Sequence, residues 1–441
     1  MCMVVFDIPP ERLNELDDAT LRELVARLCE AEREGKGGHR TEVRWGGAQT
    51  APDGGLDVTV HSPIDFTPTP VLPRRIVGIQ VKKSDLSRNK ILAEMCPDGA
   101  LRESIQELNL QAGAYLIVSV GANCAGRKLT ARQRAMEEAV RAVQETTLLH
   151  TDFIDRNALA RWASAHPSVS LWLREKLGLP KLQGWVGFTQ WSSTPVGMDD
   201  TFICGAGLRF RMPGTEPLED VPEALEAIRI LVKTGKKAIR IAGLSGIGKT
   251  RLVQALFEQT EGGDPLPQSW AVYTDVGQDP DPSPLLMLDS LISSNSPSVL
   301  IVDNCPPEAH RVLAERIAKS DSEVRLMTIE YDVRHDQPEE TDAIRIEVDG
   351  SQIVQLLLQR RYSGLALGDA RRLAELAGGN ARLALALASA APVSGTLSSF
   401  EDAALFRRLF WQREQLDEKF EQSAETLSLV YSFDTEGVAI P

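Results

Sequence analysis

The most specific chemical pattern in the chain is Gly243–Thr250, "GLSGIGKT", which fits G-x-x-x-x-G-K-[ST] at every fixed position. Glycines at 246 and 248 allow backbone N–H groups to close around phosphate oxygens at a helix N-terminus, where partial positive charge favours an anion. Lys249 is expected to reach the β and γ phosphates, and Thr250 to ligate Mg²⁺. A β-rich run precedes the loop and the helical run "RLVQALFEQ" follows it, which favours an ATP site over a glycine-rich turn without function.

An acid at the end of a buried strand is also needed to hold the Mg²⁺ of a nucleotide, and Asp303 meets this requirement. It closes the run "VLIVDN" after four apolar residues. Asn304 follows it, at a position where many relatives of this kind of sheet carry a second acid that activates water. We therefore expect Asp303 and Thr250 to hold the metal, and hydrolysis to be slow or to use a base from elsewhere.

The run "RRIVGIQVKK" raises a second chemical question, because it ends in polar residues. Side chains alternate along a strand, so Gln80 and Lys82 share one face while Ile79 and Val81 share the other. The two polar groups thus lie on a face that could be buried. The alternative is a strand that enters solvent, with Lys82 and Lys83 as its hydrated end.

Two α/β units are predicted to position these residues. The first, over residues 1–180, has an amphipathic helix over 12–35, the strands "LDVTV", "RIVGIQV" and "AYLIVSV", and helices over about 99–112, 130–145 and 156–177. The Pro-rich "SPIDFTPTPVLP" is interpreted as a loop, because proline cannot pair centrally in a sheet. A connecting segment over 181–216 follows.

The second unit, over 217–345, contains the phosphate-binding loop. Its predicted strands are "AIRIAG", "WAVYTDV", "VLIVDN" and "VRLMTIEYD", separated by helical or loop stretches, which is the pattern of a parallel sheet. From about 346 to 424 the pattern is helical, and 425–441 is set apart as the start of a further piece. The fold class is α/β throughout, with a helical subdomain after the second sheet.

Composition restricts the class of protein. The chain has 441 residues, 43% hydrophobic and 25% charged, enough for about two to four domains. The first residues lack a basic leader, and nowhere do about 18 apolar residues follow one another, so a cytoplasmic protein without membrane contact is expected. The six cysteines show no CxxC pairing, and none is spaced with a histidine as in zinc sites.

The net charge of −14 is distributed unevenly. Residues 1–176 hold 23 Lys+Arg and 24 Asp+Glu, whereas the remainder holds 25 and 38. The first part is therefore close to neutral, and local clusters such as Arg127-Lys128 could face a phosphate backbone although the whole chain is acidic. Ordinary solvated surface charge explains any one cluster equally well.

Three segments of the second unit resemble STAND-class P-loop NTPases: "GLSGIGKT", "VLIVDN" and "AGGNARLALALA". The last resembles the GxP motif of that class, in which a Gly-Asn-Pro turn starts a helix near the nucleotide. Gly379 and Asn380 match this turn and Ala381 replaces the proline, so the resemblance implies that Asn380 lies on the adenine side. The end, "ETLSLVYSFDTEGVAIP", resembles the opening of the winged-helix subdomain of that class, which implies that the chain stops short of a C-terminal sensor.

Asp57, Gln80 and Lys82 resemble the active site of Mrr-like PD-(D/E)XK nucleases. These enzymes need an acid to hold Mg²⁺, a second acceptor nearby, and a lysine that positions or deprotonates the attacking water. In Mrr-like members a glutamine replaces the second acid. Asp57 starts a strand in "APDGGLDVTV", ahead of "GIQVKK", so the resemblance implies Asp57 and Gln80 as metal ligands and Lys82 as the third catalytic residue.

Such folds often add a glutamate from the first helix, and Glu32 is the predicted candidate. It continues the apolar stripe of that helix at i+4 from Leu28 and i+7 from Val25. A carboxylate on an apolar face must be paired or bind a cation. Fraying of the helix end is the alternative, and Asp53 in "PDGG" is interpreted as a turn residue.

Together these features resemble antiviral STAND NTPases of the Avs type with an Mrr-like nuclease effector, over nearly the whole chain. This resemblance implies bacterial defence, in which a C-terminal sensor binds a phage protein, ATP-bound protomers assemble into a homo-tetramer, and the nuclease domains cut double-stranded DNA. Two other interpretations stay open. One is a STAND transcription regulator that binds DNA without cutting it, and the other is a signalling scaffold with a degenerate effector.

Overall fold

A computed structural model describes most of the chain. The described residues are 5–34, 42–46, 55–97, 99–121, 123–124, 126–142, 148–180, 182–193, 208–214, 220–243, 246–260, 263–330, 340–348, 351–390, 432–433 and 439–440. The chain divides into two compact units. Unit 1 comprises Met1–Asp199, Leu225–Ile241 and Leu252–Ala343, and unit 2 comprises Asp200–Ala224, Ala242–Arg251 and Ile344–Pro441.

The N-terminal part of unit 1 is built on a five-stranded sheet. Its strands are β1 (Glu42–Trp45), β2 (Val58–His61), β3 (Ile76–Lys82), β4 (Ala114–Ser119) and β5 (His150–Asp155). They lie in sequence order across the sheet. β1, β2 and β3 are antiparallel neighbours, whereas β3, β4 and β5 run parallel. The sheet is therefore mixed, and β3 stands at the change of direction.

Six helices accompany this sheet: α1 (Asp18–Glu34), α2 (Arg88–Met95), α3 (Glu103–Leu110), α4 (Arg127–Arg141), α5 (Arg156–Ser164) and α6 (Pro167–Lys176). One hydrophobic cluster joins the sheet to α1, α5 and α6, and a second joins it to α2, α3 and α4. β4 is buried along its whole length because it is covered on both faces.

Local chemistry explains where these helices differ from the sequence prediction. α1 begins at Asp18, later than predicted, because the Asp17 carboxylate accepts a hydrogen bond from the Thr20 N–H at 2.7 Å and caps the first turn. The helix predicted over 156–177 is two helices, since Pro167 has no N–H to continue the first and starts the second. Helix α2 and strand β5 were not predicted.

The remaining elements are β6 (Trp185–Gly187), α7 (Phe188–Ser192), β7 (Leu208–Arg211), α8 (Val221–Thr234), β8 (Ala238–Ala242), α9 (Lys249–Ala255), β9 (Ala271–Asp275), α10 (Pro284–Ser294), β10 (Ser298–Asp303), α11 (Pro307–Ala318), β11 (Val324–Glu330), β12 (Thr341–Val348), α12 (Ser351–Arg361), α13 (Leu367–Leu376), α14 (Ala381–Ala390), β13 (Ser432–Phe433) and β14 (Ala439–Ile440). The four strands predicted for the second sheet are confirmed as β8, β9, β10 and β11.

In unit 1 the neighbouring strands of the second sheet are β6, β9, β10, β11 and β8, in that order. β9, β10 and β11 are parallel, as predicted, and β6 is antiparallel to β9. The segment interpreted as a connection thus contributes a strand to this sheet. Trp191 in α7 fixes the segment by stacking on Tyr273, with ring centroids 4.4 Å apart.

A hydrophobic cluster in unit 1 includes residues from both sequence-predicted α/β units. Phe6, which is 2% exposed, and Leu171 of α6 belong to the same buried cluster as Leu300 and Val302 of β10. Trp185 of β6 is also part of it, and its indole N–H donates to the carbonyl of Pro282 at 2.8 Å. The N-terminal part and the second sheet therefore share a buried core inside unit 1.

Unit 2 contains an antiparallel strand pair and a helical cluster. Residues 345–348 of β12 pair with β7. α12, α13 and α14 pack around a core that includes Val354, Leu358, Leu373 and Leu387. The helix predicted from "AALFRRLFWQREQLDEKF" lies outside the described residues, and of the predicted start of a winged-helix subdomain only β13 and β14 are described. None of the described helices has the length and hydrophobicity needed to cross a bilayer.

Candidate functional site

A cleft of about 680 Å³ lies in the N-terminal part of unit 1, where β2 begins and β3 ends. It brings together three residues predicted from the sequence, Asp57, Gln80 and Lys82. Its lining also includes four charged residues that the sequence did not indicate: Asp18 and Arg22 of α1, Glu94 of α2, and Arg102. The alternative of a strand end hydrated by solvent applies to Lys83, which is exposed, but not to Gln80, which is 3% exposed.

Asp57 is tied to β3 through its backbone and its side chain. Its N–H donates to the carbonyl of Ile79 at 2.9 Å, which extends the ladder between β2 and β3 by one residue. Its Oδ2 accepts from the N–H of Val81 at 2.8 Å, and its Oδ1 lies 3.3 Å from Nε of Arg22. The carboxylate is therefore held beside the strand segment that carries Gln80 and Lys82.

The Gln80 side chain has a defined orientation. Its Nε2 donates to Glu94 Oε1 at 2.7 Å, and its Oε1 accepts from the Tyr115 hydroxyl at 2.6 Å. A carboxylate only accepts, so the amide nitrogen must face Glu94. Burial raises the pKa of Tyr115 far above its ordinary value, which keeps the hydroxyl protonated as a donor. The predicted role of Gln80 as a metal ligand requires its amide oxygen, and in this arrangement that oxygen faces the Tyr115 hydroxyl while the amide nitrogen faces Glu94.

Glu94 is the centre of the polar contacts in the cleft. Its Oε2 lies 3.3 Å from Nζ of Lys82, and its Oε1 accepts from Nη2 of Arg102 at 2.9 Å. Burial opposes its charged form, but the hydrogen bond from Gln80 and the charges of Lys82 and Arg102 lower the pKa of Glu94 below its ordinary value of 4.5. Glu94 is therefore an anion at neutral pH.

The lowered pKa of Glu94 predicts an acid dependence of stability. A carboxyl with a lower pKa in the folded state contributes stability above its unfolded pKa, near 4.5, and loses that contribution as the pH falls through the folded value. Urea unfolding of wild type and Glu94→Gln at several pH values should show a stability difference that is constant above about pH 5 and narrows on acidification. A difference independent of pH between 6 and 3 would contradict this.

Glu32 lies elsewhere in the structure and does not line the cleft. Its Oε2 is 3.2 Å from Nε2 of His166, the residue before α6. Burial opposes its charge, but hydrogen bonds from His166 and Thr69 lower the pKa of Glu32. The sequence argument that a carboxylate on an apolar helix face needs a partner holds, and the partner that the structure provides is His166.

The residues of the cleft fit a hydrated Mg²⁺ ion. Among the residues that the structure describes, no group of three or more His, Cys, Asp or Glu side chains could hold a metal. Mg²⁺ does not need such a group, because it keeps several waters and is usually held by one or two carboxylates together with substrate phosphates. Asp57 and Glu94 provide two carboxylates at the strand end, and the exposed Asp18 of α1 lines the same cleft.

The phosphate-binding loop lies in unit 2 between β8 and α9; residues 244 and 245 are outside the described part. The Lys249 side chain is buried and its Nζ donates to the carbonyl of Gly243 at 2.7 Å. Gly246 and Gly248 have φ values of +79° and +94°, which only glycine adopts without strain. Both positions therefore use the conformational freedom of glycine.

Asn380 lies against this loop, and its predicted place on the adenine side of a nucleotide stays a prediction. A Cβ added to Gly246 would come within 2.2 Å of Asn380 Oδ1, and the N–H of Ala381 donates to the Gly246 carbonyl at 3.0 Å. The same Oδ1 accepts from the N–H of Leu383 at 3.0 Å and caps α14. Position 246 thus requires glycine for two reasons: its φ is positive, and the Asn380 side chain leaves no room for a Cβ.

Asp303 lies in unit 1 at the end of β10, as predicted. Its Oδ2 accepts from the Tyr273 hydroxyl at 3.1 Å, and its Oδ1 accepts from the N–H of Asn304 at 2.9 Å. The Asn304 side chain donates to Asp275 Oδ1 at 2.9 Å. Burial and the nearby charge of Asp303 raise the pKa of Tyr273, so this hydroxyl remains a donor to Asp303.

Comparisons with known proteins give partial likenesses. No family model matches the chain, and no curated protein matches it. The AAA domain of FIGL-1 with ADP is 12% identical, with a TM-score of 0.27, and the match covers 47% of this chain and 85% of that one. A STAND protein with a tetratricopeptide repeat sensor from Pyrococcus horikoshii is 15% identical, with a TM-score of 0.27, covering 51% of this chain and 37% of that one.

A variant of Thermotoga maritima RuvB is 14% identical, with a TM-score of 0.30, covering 47% of this chain and 73% of that one. This chain thus spans well under half the length of the STAND protein. At these TM-scores the likenesses carry no functional argument, so function is argued from the residues. The complete motif between β8 and α9 defines a P-loop nucleotide-binding module on an α/β sheet.

Proposed function

We propose that the chain is a Mg²⁺-dependent DNA endonuclease of the PD-(D/E)XK type, controlled by its P-loop module. The observation that carries the proposal is the cleft in which Asp57, Lys82 and Glu94 meet at the junction of β2 and β3. Simple DNA binding needs basic side chains but no carboxylates beside a lysine. The mixed sheet, with three antiparallel strands followed by two parallel ones, supports the resemblance to restriction-endonuclease-like domains.

Four side chains of the cleft have a role in this proposal. A bound Mg²⁺ would polarise the scissile phosphate and neutralise charge that develops on it. Asp57 would hold the ion with its carboxylate, which Val81 orients. Lys82 would position the attacking water or take its proton, and its side chain is 31% exposed, so it can reach a substrate. Arg22 and Arg102 place further positive charge in the cleft for the DNA backbone.

The P-loop module would bind ATP through Gly243, Gly246, Gly248, Lys249 and Thr250, with Mg²⁺ held by Thr250 and Asp303 and with Asn380 near the adenine side. Asn304 is hydrogen-bonded to Asp275 and supplies no carboxylate for water activation. We infer that ATP binding, more than its turnover, favours a homo-oligomer, expected to be a tetramer, in which nuclease domains act together on double-stranded DNA. The proposed function is anti-phage defence in the cytoplasm, triggered by recognition of a phage protein.

Forced assembly tests the nuclease proposal without the trigger. A tetrameric coiled coil fused after residue 441 would bring four chains together, and supercoiled plasmid would be incubated with this protein, ATP and Mg²⁺. We expect nicked and linear DNA, no cleavage in EDTA, and at least about a hundredfold slower cleavage by Asp57→Ala, because the metal loses a ligand. Plasmid that is retarded in a gel but never cut would support the non-cleaving regulator, and plasmid that is neither bound nor cut would support the scaffold.

A further inference from the structure

The cleft contains an acid where the sequence spacing predicts an amide. We propose that Glu94 is the acidic partner of Asp57 in the cleft, facing the metal, and that Gln80 orients Glu94 instead of binding the metal itself. This inference rests on the proposed nuclease function. It changes the active-site set from Asp57, Gln80, Lys82 and Glu32 to Asp57, Glu94 and Lys82, with Gln80 as a positioning residue.

A chain of hydrogen bonds fixes the Glu94 carboxylate. The Tyr115 hydroxyl donates to Gln80 Oε1 at 2.6 Å, and Gln80 Nε2 donates to Glu94 Oε1 at 2.7 Å. Tyr115 is fully buried and Gln80 is 97% buried, so this chain begins in the interior of the sheet. Arg102 gives a second donor to the same oxygen at 2.9 Å, and its Nε also donates to the Glu94 backbone carbonyl. Glu94 Oε1 is therefore held by the protein.

The second oxygen of Glu94 faces the catalytic lysine. Oε2 lies 3.3 Å from Lys82 Nζ, whereas Asp57 has one oxygen held by the Val81 N–H and the other 3.3 Å from Arg22 Nε. Both carboxylates thus have one oxygen oriented by a short hydrogen bond and the other beside a cationic side chain. The orienting bonds fix where the second oxygen of each carboxylate points, and a metal bound there would compete with Lys82 and Arg22 for these two oxygens.

A metal ligand at Gln80 would require a rearrangement that the surroundings oppose. Rotating the amide by about 180° would bring its oxygen against Glu94 Oε1, so that two acceptors face each other at hydrogen-bond distance. The carboxylate would lose its Gln80 donor in the process. Glu94 needs no such rotation, because both of its carboxylate oxygens are acceptors and its Oε2 lies 3.3 Å from Lys82 Nζ.

Metal binding by the full chain, measured without nucleotide, tests the assignment. Mn²⁺ would be titrated by calorimetry into wild type, Asp57→Asn, Glu94→Gln, Glu94→Asp and Gln80→Met. We expect Asp57→Asn and Glu94→Gln to weaken binding about tenfold or more, Glu94→Asp to retain part of it, and Gln80→Met to lose less than Glu94→Gln. The exposed Glu107 on α3 provides the matched control, and Glu107→Gln should bind as wild type.

The assignment would be overturned if Glu94→Gln bound Mn²⁺ with wild-type affinity, or if Gln80→Met lost more affinity than Glu94→Gln. It would also be overturned if Asp57→Asn bound Mn²⁺ as tightly as wild type does. Thermal unfolding of each variant identifies any that fail to fold. If Glu94→Gln does not fold, the Mn²⁺ affinity of Glu94→Asp decides whether Glu94 binds the metal. The plasmid assay separates this inference from the nuclease proposal. Glu94-dependent Mn²⁺ binding with intact plasmid would reject only nuclease activity, whereas cleavage by Glu94→Gln at the wild-type rate would reject only the role of Glu94.

Discussion

Lys82→Ala should reduce DNA cleavage by about 10²- to 10⁴-fold, the usual contribution of a positioned acid or base, while metal binding persists. Its Nζ lies beside the Glu94 carboxylate in the cleft, and no residue on the other face of β3 can replace it. The rate of plasmid cleavage by the assembled protein, measured with saturating Mg²⁺, is the readout. We expect Lys82→Ala to lower the catalytic rate constant and to leave the affinity for DNA nearly unchanged.

The neighbouring residue supplies the control for this experiment. Lys83 is exposed and one position along, so Lys83→Ala removes the same charge from the same segment without removing the group beside Glu94. We expect this variant to cut at close to the wild-type rate, with at most a small loss of DNA affinity from one phosphate contact. If Lys82→Ala also cut at the wild-type rate, β3 would not be part of a nuclease site.

Lys249→Ala should weaken ATP binding by about 2 to 3 kcal/mol, roughly 30- to 150-fold, because a charge-assisted contact to the β and γ phosphates is lost in a buried site. DNA cleavage should then fail at ATP concentrations that saturate the wild type, although the cleft is unchanged. A nucleotide that takes no part in the chemistry of the cleft can influence cleavage only by favouring one assembly state, through its different affinity for the two states. Lys233→Ala, on the exposed side of α8, is the control.

The decisive comparison uses three nucleotide conditions without the coiled-coil fusion, because the fusion would replace the assembly step that the nucleotide is proposed to control. Because Asn304 supplies no carboxylate, a slowly hydrolysed ATP analogue should support cleavage as well as ATP does. Cleavage without nucleotide should be low, and mass measurement should show the oligomer only with ATP or the analogue. Equal cleavage in all three conditions would leave the P-loop module without a role in activation.

The parts of the site that could be predicted from the sequence are those fixed by contiguous residues. The loop Gly243–Thr250 and the pair Gln80 and Lys82 follow from spacing within one strand or one strand–helix junction. Asp57 could be found because it starts the strand paired with β3. These are local patterns, and the backbone periodicities of strands and helices determine where their side chains lie.

The remainder depends on tertiary structure that no local pattern encodes. Glu94 reaches the cleft only because α2, a short helix with little periodic signal, lies against β3, and its link to Tyr115 passes through Gln80. The partner of Glu32 is separated from it by 134 residues. Periodicity showed that Glu32 needs a partner, but the residue that supplies it depends on how α1 packs near the start of α6.

The buried cluster that includes Phe6, Leu171 and Leu300 limits how the N-terminal part can be separated from the rest of the chain. If residues 1–180 were expressed alone, Phe6 and Leu171 would lose the β10 side chains that cover them. Such an exposed apolar patch favours aggregation. The truncated N-terminal part is therefore a poor reagent, and a lack of cleavage by it would not test the proposed role of Lys82. The same cluster means that the N-terminal part is not joined to the second sheet by a flexible linker alone. A displacement of β10 would be passed on to α6 through the packed side chains.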